Sequence, residues 1–182
     1  MARPAGTNDG IMIRPARPRD VPSFLGVYRA VAAEKRFIRS EQVSHAPRVY
    51  RRRFRRSWTD EEAHIVAVVG DRVIGHLSIH REDHPVTRHV ATLGMAVAPE
   101  WRGRGVGNLL MHESLRWARE AGVEKVLLSV YPGNVAAIGL YRKFGFTEEG
   151  RLVRQSRKSY GYEDEILMAR WKIGRASCRE RV

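Results

Sequence analysis

Apolar and polar positions along the chain repeat with two different periods, and the switches between them outline the elements. "IMIRPA", near the amino terminus, is a short strand. From Asp20 onward, Phe24, Leu25, Tyr28, Val31 and Ala32 recur at helical spacing, with Asp20 as N-cap and Pro22 in the first turn. A shorter helix is predicted from about Pro47 to Trp58. The period then drops to two. "AHIVAVV", the turn "GD" and "RVIGHLSIH" predict a hairpin with Val73, Gly75, Leu77 and Ile79 on one face and His76 and His80 on the solvent side. "RHVATLGMAVAP" is the next strand, and a long helix follows through "GNLLMHESLRWAREAG", closed by Gly122. "EKVLLSVY" is a buried strand, "NVAAIGLYRKFG" a helix capped by Asn134 and ended by Gly145, and "FTEEGRL" and "EDEILMARW" are the last strands. Strands alternating with helices predict an α/β (α+β) sheet covered on both faces.

The ends of the chain change this outline slightly. Residues 1–10 read as a flexible leader, which makes Met12 a second candidate start beside Met1. Residues 11–172 form one domain, as expected for a chain of 182 residues. The terminal "IGRASCRERV", residues 173–182, has no periodicity and resembles the translated read-through of a sequencing adapter, so it is set apart from the fold. The single cysteine, Cys178, lies in that tail and excludes an internal disulfide. No apolar run reaches the roughly 18 residues of a membrane span, and the amino terminus lacks a signal-like apolar core; a cytoplasmic protein is expected.

The formal charge is +13, and setting the tail aside removes three arginines and one glutamate, leaving +11. Such a balance favours anionic ligands without naming one. Much of it lies in "PRVYRRRFRRSW", with six arginines from Arg48 to Arg56. That run reads as a solvated helix face, as the approach to an acidic or phosphate-bearing ligand, or as a nucleic-acid surface. For the last there is no recognised motif and no aromatic stacking platform.

The densest chemical signal is "APEWRGRGVGNLL". Three alternate glycines, Gly103, Gly105 and Gly107, stand directly before a helix. Glycines at such a junction allow unusual dihedrals and close backbone approach, and the amides at a helix start form an anion site. A P-loop would need a Lys and a hydroxyl after the last glycine, and a dinucleotide fingerprint would need glycine where Asn108 stands.

Arg102-Gly103-Arg104-Gly105-Val106-Gly107, following the strand "MAV" with Pro99 and Trp101, instead resembles the acyl-CoA signature Gln/Arg-x-x-Gly-x-Gly/Ala of the GCN5-related N-acetyltransferase (GNAT) superfamily. "NVAAIGLYRKFGF", Asn134 to Phe146, is similar to a later helix of that family, Asn-x-x-Ala-x-x-Leu-Tyr-x-x-x-Gly-Phe, at every lettered position. Asn134 and Tyr141 lie two turns apart on one helix face, so both can address one elongated ligand. The resemblance covers about Ile11 to Lys172 and is greatest to the bacterial phosphinothricin-type, or YhhY-like, acetyltransferases. It implies a mixed, mostly antiparallel sheet of six or seven strands with helices on both faces.

It also implies acetyl transfer from acetyl-CoA to a primary amine. The pyrophosphate would lie on the amides of Gly103, Arg104, Gly105, Val106, Gly107 and Asn108, with Arg102 and Arg104 adding charge. The pantetheine arm would pair with the strand edge at Met95 and Val97, where that strand splays from "KVLLSVY", and an amide there would stabilise an oxyanion. Tyr141 would be the acid for the departing thiolate, or else a core tyrosine beside Ile138 and Phe144. Asn134 would cap its helix, contact the cofactor, or do both. For the base, many members carry glutamate where this chain has Thr92, so the candidates are His89, Glu34, Glu41 or a bound water. No metal is expected, because His76 and His80 have no acidic or thiol companions at ligand spacing. The acceptor is expected to be a small amino-acid-like amine walled by "EKRFIRSEQ" and "RQSRKSYGY", with a protein N-terminus or lysine as the alternative. A homodimer accords with the resemblance.

Overall fold

The computed structural model describes residues 10–39, 41, 46–171 and 173. Met1, most of the leader and the tail beyond Ile173, with Cys178, lie outside them. The elements are β1 (Ile11–Pro15), α1 (Val21–Ala33), α2 (Pro47–Phe54), β2 (Glu62–Val69), β3 (Arg72–Arg81), β4 (Val90–Val97), α3 (Val106–Glu120), β5 (Lys125–Val130), α4 (Val135–Lys143), β6 (Thr147–Lys158) and β7 (Gly161–Trp171), with short 3-10 turns before α1, β4 and α3. One seven-stranded sheet runs in the order β1-β2-β3-β4-β5-β7-β6. Every pair is antiparallel except β4 with β5, which α3 joins as a crossover. The expected mixed sheet, mostly antiparallel and covered on both faces, is therefore what the chain adopts.

Alternation along the strands builds two cores. Ile65 and Ala67 of β2, Leu77 and Ile79 of β3, Ala91 and Leu93 of β4, and Val126 and Leu128 of β5 face one side and pack on Leu110, Met111, Leu115 and Trp117 of α3. Trp117 is fully buried, and its indole N–H donates to the Thr59 carbonyl at 2.7 Å. On the other side Val66, Val68 and Ala96 pack on Phe24, Leu25, Val27 and Val31 of α1 and on Tyr50 and Phe54 of α2.

Three expectations need correction. Val73 does not share a face with Gly75, Leu77 and Ile79, because the ladder shifts register between Ala67 and Val68 and leaves Ile74 unpaired. That extra residue turns Val73 to the α1 side. Second, His76 is buried rather than solvent-facing, because α1 and α2 cover that face too. Its Nε2 lies 3.4 Å from Nδ1 of His64, and its ring sits against Phe24 at 4.7 Å. Third, Asp20 stands at the start of α1, but its carboxylate turns back to grip Arg14 at 2.7 and 2.8 Å and the Arg17 amide. At the other end, Ile173, assigned to the tail by its sequence, is buried, and its amide donates to the Glu124 carbonyl at 3.2 Å.

Candidate active site

The glycine turn joins β4 to α3. Gly103 and Gly105 have φ of +75° and +82°, left-handed values that cost most other residues energy. A Cβ at either would meet nothing within 4 Å, so conformation and an open surface, not crowding, require glycine there. Gly107 differs: a Cβ would lie 2.9 Å from Leu140 of α4 and 3.7 Å from Met95 of β4. It lets the start of α3 approach both. The α3 ladder begins where the Leu109 amide donates to the Gly105 carbonyl at 3.2 Å. The amides of Val106, Gly107 and Asn108 precede it, at the positive end of a helix of 15 residues.

Immediately before this turn the sheet opens. β4 and β5 pair only over Val90↔Lys125, Ala91↔Val126 and Thr92↔Leu127. Beyond Thr92, β4 continues to Val97 bonded to β3 alone, while β5 continues to Val130 bonded to β7. The side of β4 from Leu93 to Val97 that faces β5 thus carries backbone groups outside any ladder. Met95 and Val97 are half-buried there, against the α3-side core.

α4 closes that side. Asn134 caps it, its Oδ1 accepting from the Ala137 amide at 3.2 Å. Tyr141, two turns on, is buried beside Phe146, and burial pushes its phenol up to about 12. Asn108 accepts from Lys143 Nζ at 2.8 Å, tying α3 to α4. The two signature arginines go separate ways. Arg104 lies over the Trp101 ring at 5.1 Å. Arg102 folds back to Glu34 at 2.9 Å, to the Val97 carbonyl at 3.3 Å and over Phe37.

The opposite face of the opening is polar. Thr92 and Gly94 alternate with the α3-facing residues of β4, and Ser129 and Tyr131 do the same along β5. The segment after α1 crosses to this region. Arg39 pairs with Glu165 of β7 at 2.6 Å and reaches Ser129 at 3.4 Å. Ser156 donates to Glu165 at 2.7 Å and accepts from Tyr131 at 3.0 Å. Burial works to raise the Glu165 carboxyl, but Arg39 and the two serine hydroxyls outweigh it and hold it at about 2. The Lys158 ammonium fastens the segment by donating to the Ile38 and Arg39 carbonyls at 2.6 and 2.9 Å.

The structure therefore sets the glycine turn between Met95 of β4 and Leu140 of α4, the helix that carries Asn134 and Tyr141, and ties Asn108 to α4 through Lys143, but it leaves the proposed bases elsewhere or engaged. His89 lies at the closed end of β4, its carbonyl accepting from the Glu124 and Lys125 amides and its ring against Trp171. Glu34 is engaged by Arg102, and Glu41 by the amide and hydroxyl of Ser159. Sequence reasoning missed Arg39, Glu165 and Glu82. Strand parity in "EDEILMAR" would place Glu165 on the polar face, but no local signal joins it to Arg39, 126 positions away.

Residues 29–146 match the acetyltransferase (GNAT) family. An L-amino acid N-acetyltransferase of Escherichia coli (strain K12), AaaT, is 36% identical over 112 residues, 59% of this chain and 67% of that protein. A mycothiol acetyltransferase of Pseudarthrobacter chlorophenolicus is 31% identical over 149 residues, and the chain spans only 44% of its length. The crystal structure of a phosphinothricin acetyltransferase from Sinorhizobium meliloti in complex with acetyl-CoA superposes with a TM-score of 0.82 at 20% identity, over 95% of this chain and 94% of that one. The family match and the fold agree: this chain belongs to the acetyltransferase (GNAT) family and is an acetyl-CoA-dependent N-acetyltransferase.

Proposed function

We propose that the protein acetylates the primary amine of a small, amino-acid-like acceptor, and that transfer takes place in the opening between β4 and β5. One observation carries this reading: the strand that loses its partner after Thr92 runs directly into the turn that presents the amides of α3. The residues fit an extended nucleotide thioester. The amides of Gly103 to Asn108 would hold its pyrophosphate, and the bare surface at Gly103 and Gly105 leaves room for it. The free edge of β4 at Met95 and Val97 would pair with amides of the arm, and Asn134 and Tyr141 would flank it.

Acetyl-CoA supplies an activated acyl group. The chain must orient the attacking nitrogen, remove its proton, stabilise the oxyanion and protonate the leaving sulfur. A β4 amide serves the oxyanion. Tyr141, whose burial keeps its phenol protonated throughout the neutral range, serves as the proton donor. Arg39, whose side chain stays largely exposed although it pairs with the buried Glu165, offers a cation on the acceptor face to the carboxylate of an amino acid. The likeness to an L-amino acid N-acetyltransferase supports the same acceptor class.

The test is incubation with acetyl-CoA and a panel of L-amino acids, other small amines and peptides with free N-termini, following thiol release. Turnover of amino acids ahead of peptides is expected. Peptides turned over ahead of every amino acid would replace this reading with protein acetylation, and no turnover with any amine would remove it.

A further inference from the structure

We infer that Glu82, at the end of the β3–β4 hairpin, is the base that takes the proton from the acceptor ammonium, held in place by Thr92; this rests on the acetyl-transfer reading above. Thr92 is the last β4 residue paired with β5, so its side chain stands where the sheet opens. It lies on the polar face, opposite the α3-packed Ala91 and Leu93. Its hydroxyl donates to Oε1 of Glu82 at 3.1 Å. The Glu82 amide donates to the Val90 carbonyl at 2.9 Å, which fixes the backbone beside β4. Glu82 and Thr92 are both partly exposed, so solvent and an acceptor can reach them.

The other carboxylates of this region are committed. Glu165 is held by Arg39, Glu34 by Arg102, and Glu41 by Ser159, and Glu62 lies against His64. Among the described residues Glu82 forms no ion pair, and its carboxylate accepts only from the neutral Thr92 hydroxyl. A carboxylate without a cation keeps a lone pair for an incoming ammonium. Around it, His80 faces Thr92 across the ladder and Glu62 faces His80 from β2. Arg81 turns to the Ala121 carbonyl, Arg88 is paired with Glu61, and Asp83 and His84 follow in the loop.

Glu82 accepts the first proton from the ammonium, the freed electron pair forms the C–N bond as the carbonyl π pair moves onto oxygen, and the return of that pair breaks the C–S bond. Tyr141 passes its phenolic proton to the sulfur. The nitrogen's second proton leaves through solvent and restores Tyr141, so one proton, released from Glu82, appears per turnover.

The experiment uses the amino acid that the wild type turns over fastest. Glu82→Gln should lower kcat by about 100-fold or more and abolish the acid limb of the kcat/KM–pH profile, with coenzyme A affinity and thermal midpoint unchanged. Thr92→Glu added to Glu82→Gln should recover at least about tenfold, because it sets a carboxylate at the same opening. The inference is overturned if Glu82→Gln keeps the wild-type acid limb, if the double variant is no faster than Glu82→Gln, or if His80→Gln alone removes the limb. Wild-type turnover in the same assay separates this failure from failure of the acetyl-transfer reading.

Discussion

A phenol meant to protonate a leaving thiolate must stay protonated near neutrality, and burial of Tyr141 ensures that. Replacing it with Phe removes one hydroxyl while keeping the ring against Phe146. We expect Tyr141→Phe to lower kcat by about 100-fold with little change in coenzyme A affinity, measured by steady-state kinetics and calorimetric titration. Parallel loss of affinity and kcat would assign Tyr141 a packing role instead. Candidate motif residues could be singled out by type and spacing, the alternate glycines by the left-handed turn they form before α3 and Asn134 and Tyr141 by their places at the cap and on the last turns of α4. Glu82 was not legible, because its importance comes from a hydrogen bond across a hairpin to a residue that by itself suggests nothing.

At the scale of elements, strands and helices followed from periodicity, and errors arose where one residue changed the geometry. The unpaired Ile74 reversed Val73, and covering helices turned the expected solvent face of β3 into core around His76. The segment between α1 and α2 owes its position to distant partners. Arg39 and Lys158 tie it to β7 and β6. Arg39→Ala would leave Glu165 almost fully buried without its cation. We expect a loss of about 1–3 kcal/mol, less than for a fully buried pair because the Arg39 side chain is 64% exposed. Urea unfolding near neutral pH measures this; an unchanged midpoint with an unchanged slope would show that water or the two serines suffice.

For the whole molecule, one sheet divides its labour. Its α3 side is apolar throughout, while its other side carries the α1–α2 core and turns polar from Ser78 through Thr92 to Glu165, where we place the acceptor. Several buried groups make the fold acid-sensitive, among them His76, its neighbour His64, whose pKa burial also lowers, and Glu165. Burial and the neighbouring His64 push His76 down to about 3, so the folded protein keeps it neutral while the unfolded chain binds a proton below about 6.5. Stability is lost as pH falls from 6.5 towards 3, by up to about 4 kcal/mol from this group. Glu165, held at about 2, adds a loss between about 4.5 and 2, also on acidification. Thermal midpoints between pH 7 and 4 should fall, and His76→Phe, which needs no proton, should flatten the upper part of that decline; an equally steep decline in the variant would place the sensitivity elsewhere.

The most direct test of the site is a crystal structure of the protein with coenzyme A. The pyrophosphate should lie on the amides of Gly103 to Asn108 and the pantetheine arm alongside Met95 and Val97, with its sulfur near the Tyr141 hydroxyl. Coenzyme A bound away from the opening between β4 and β5, with the glycine turn bare, would contradict it.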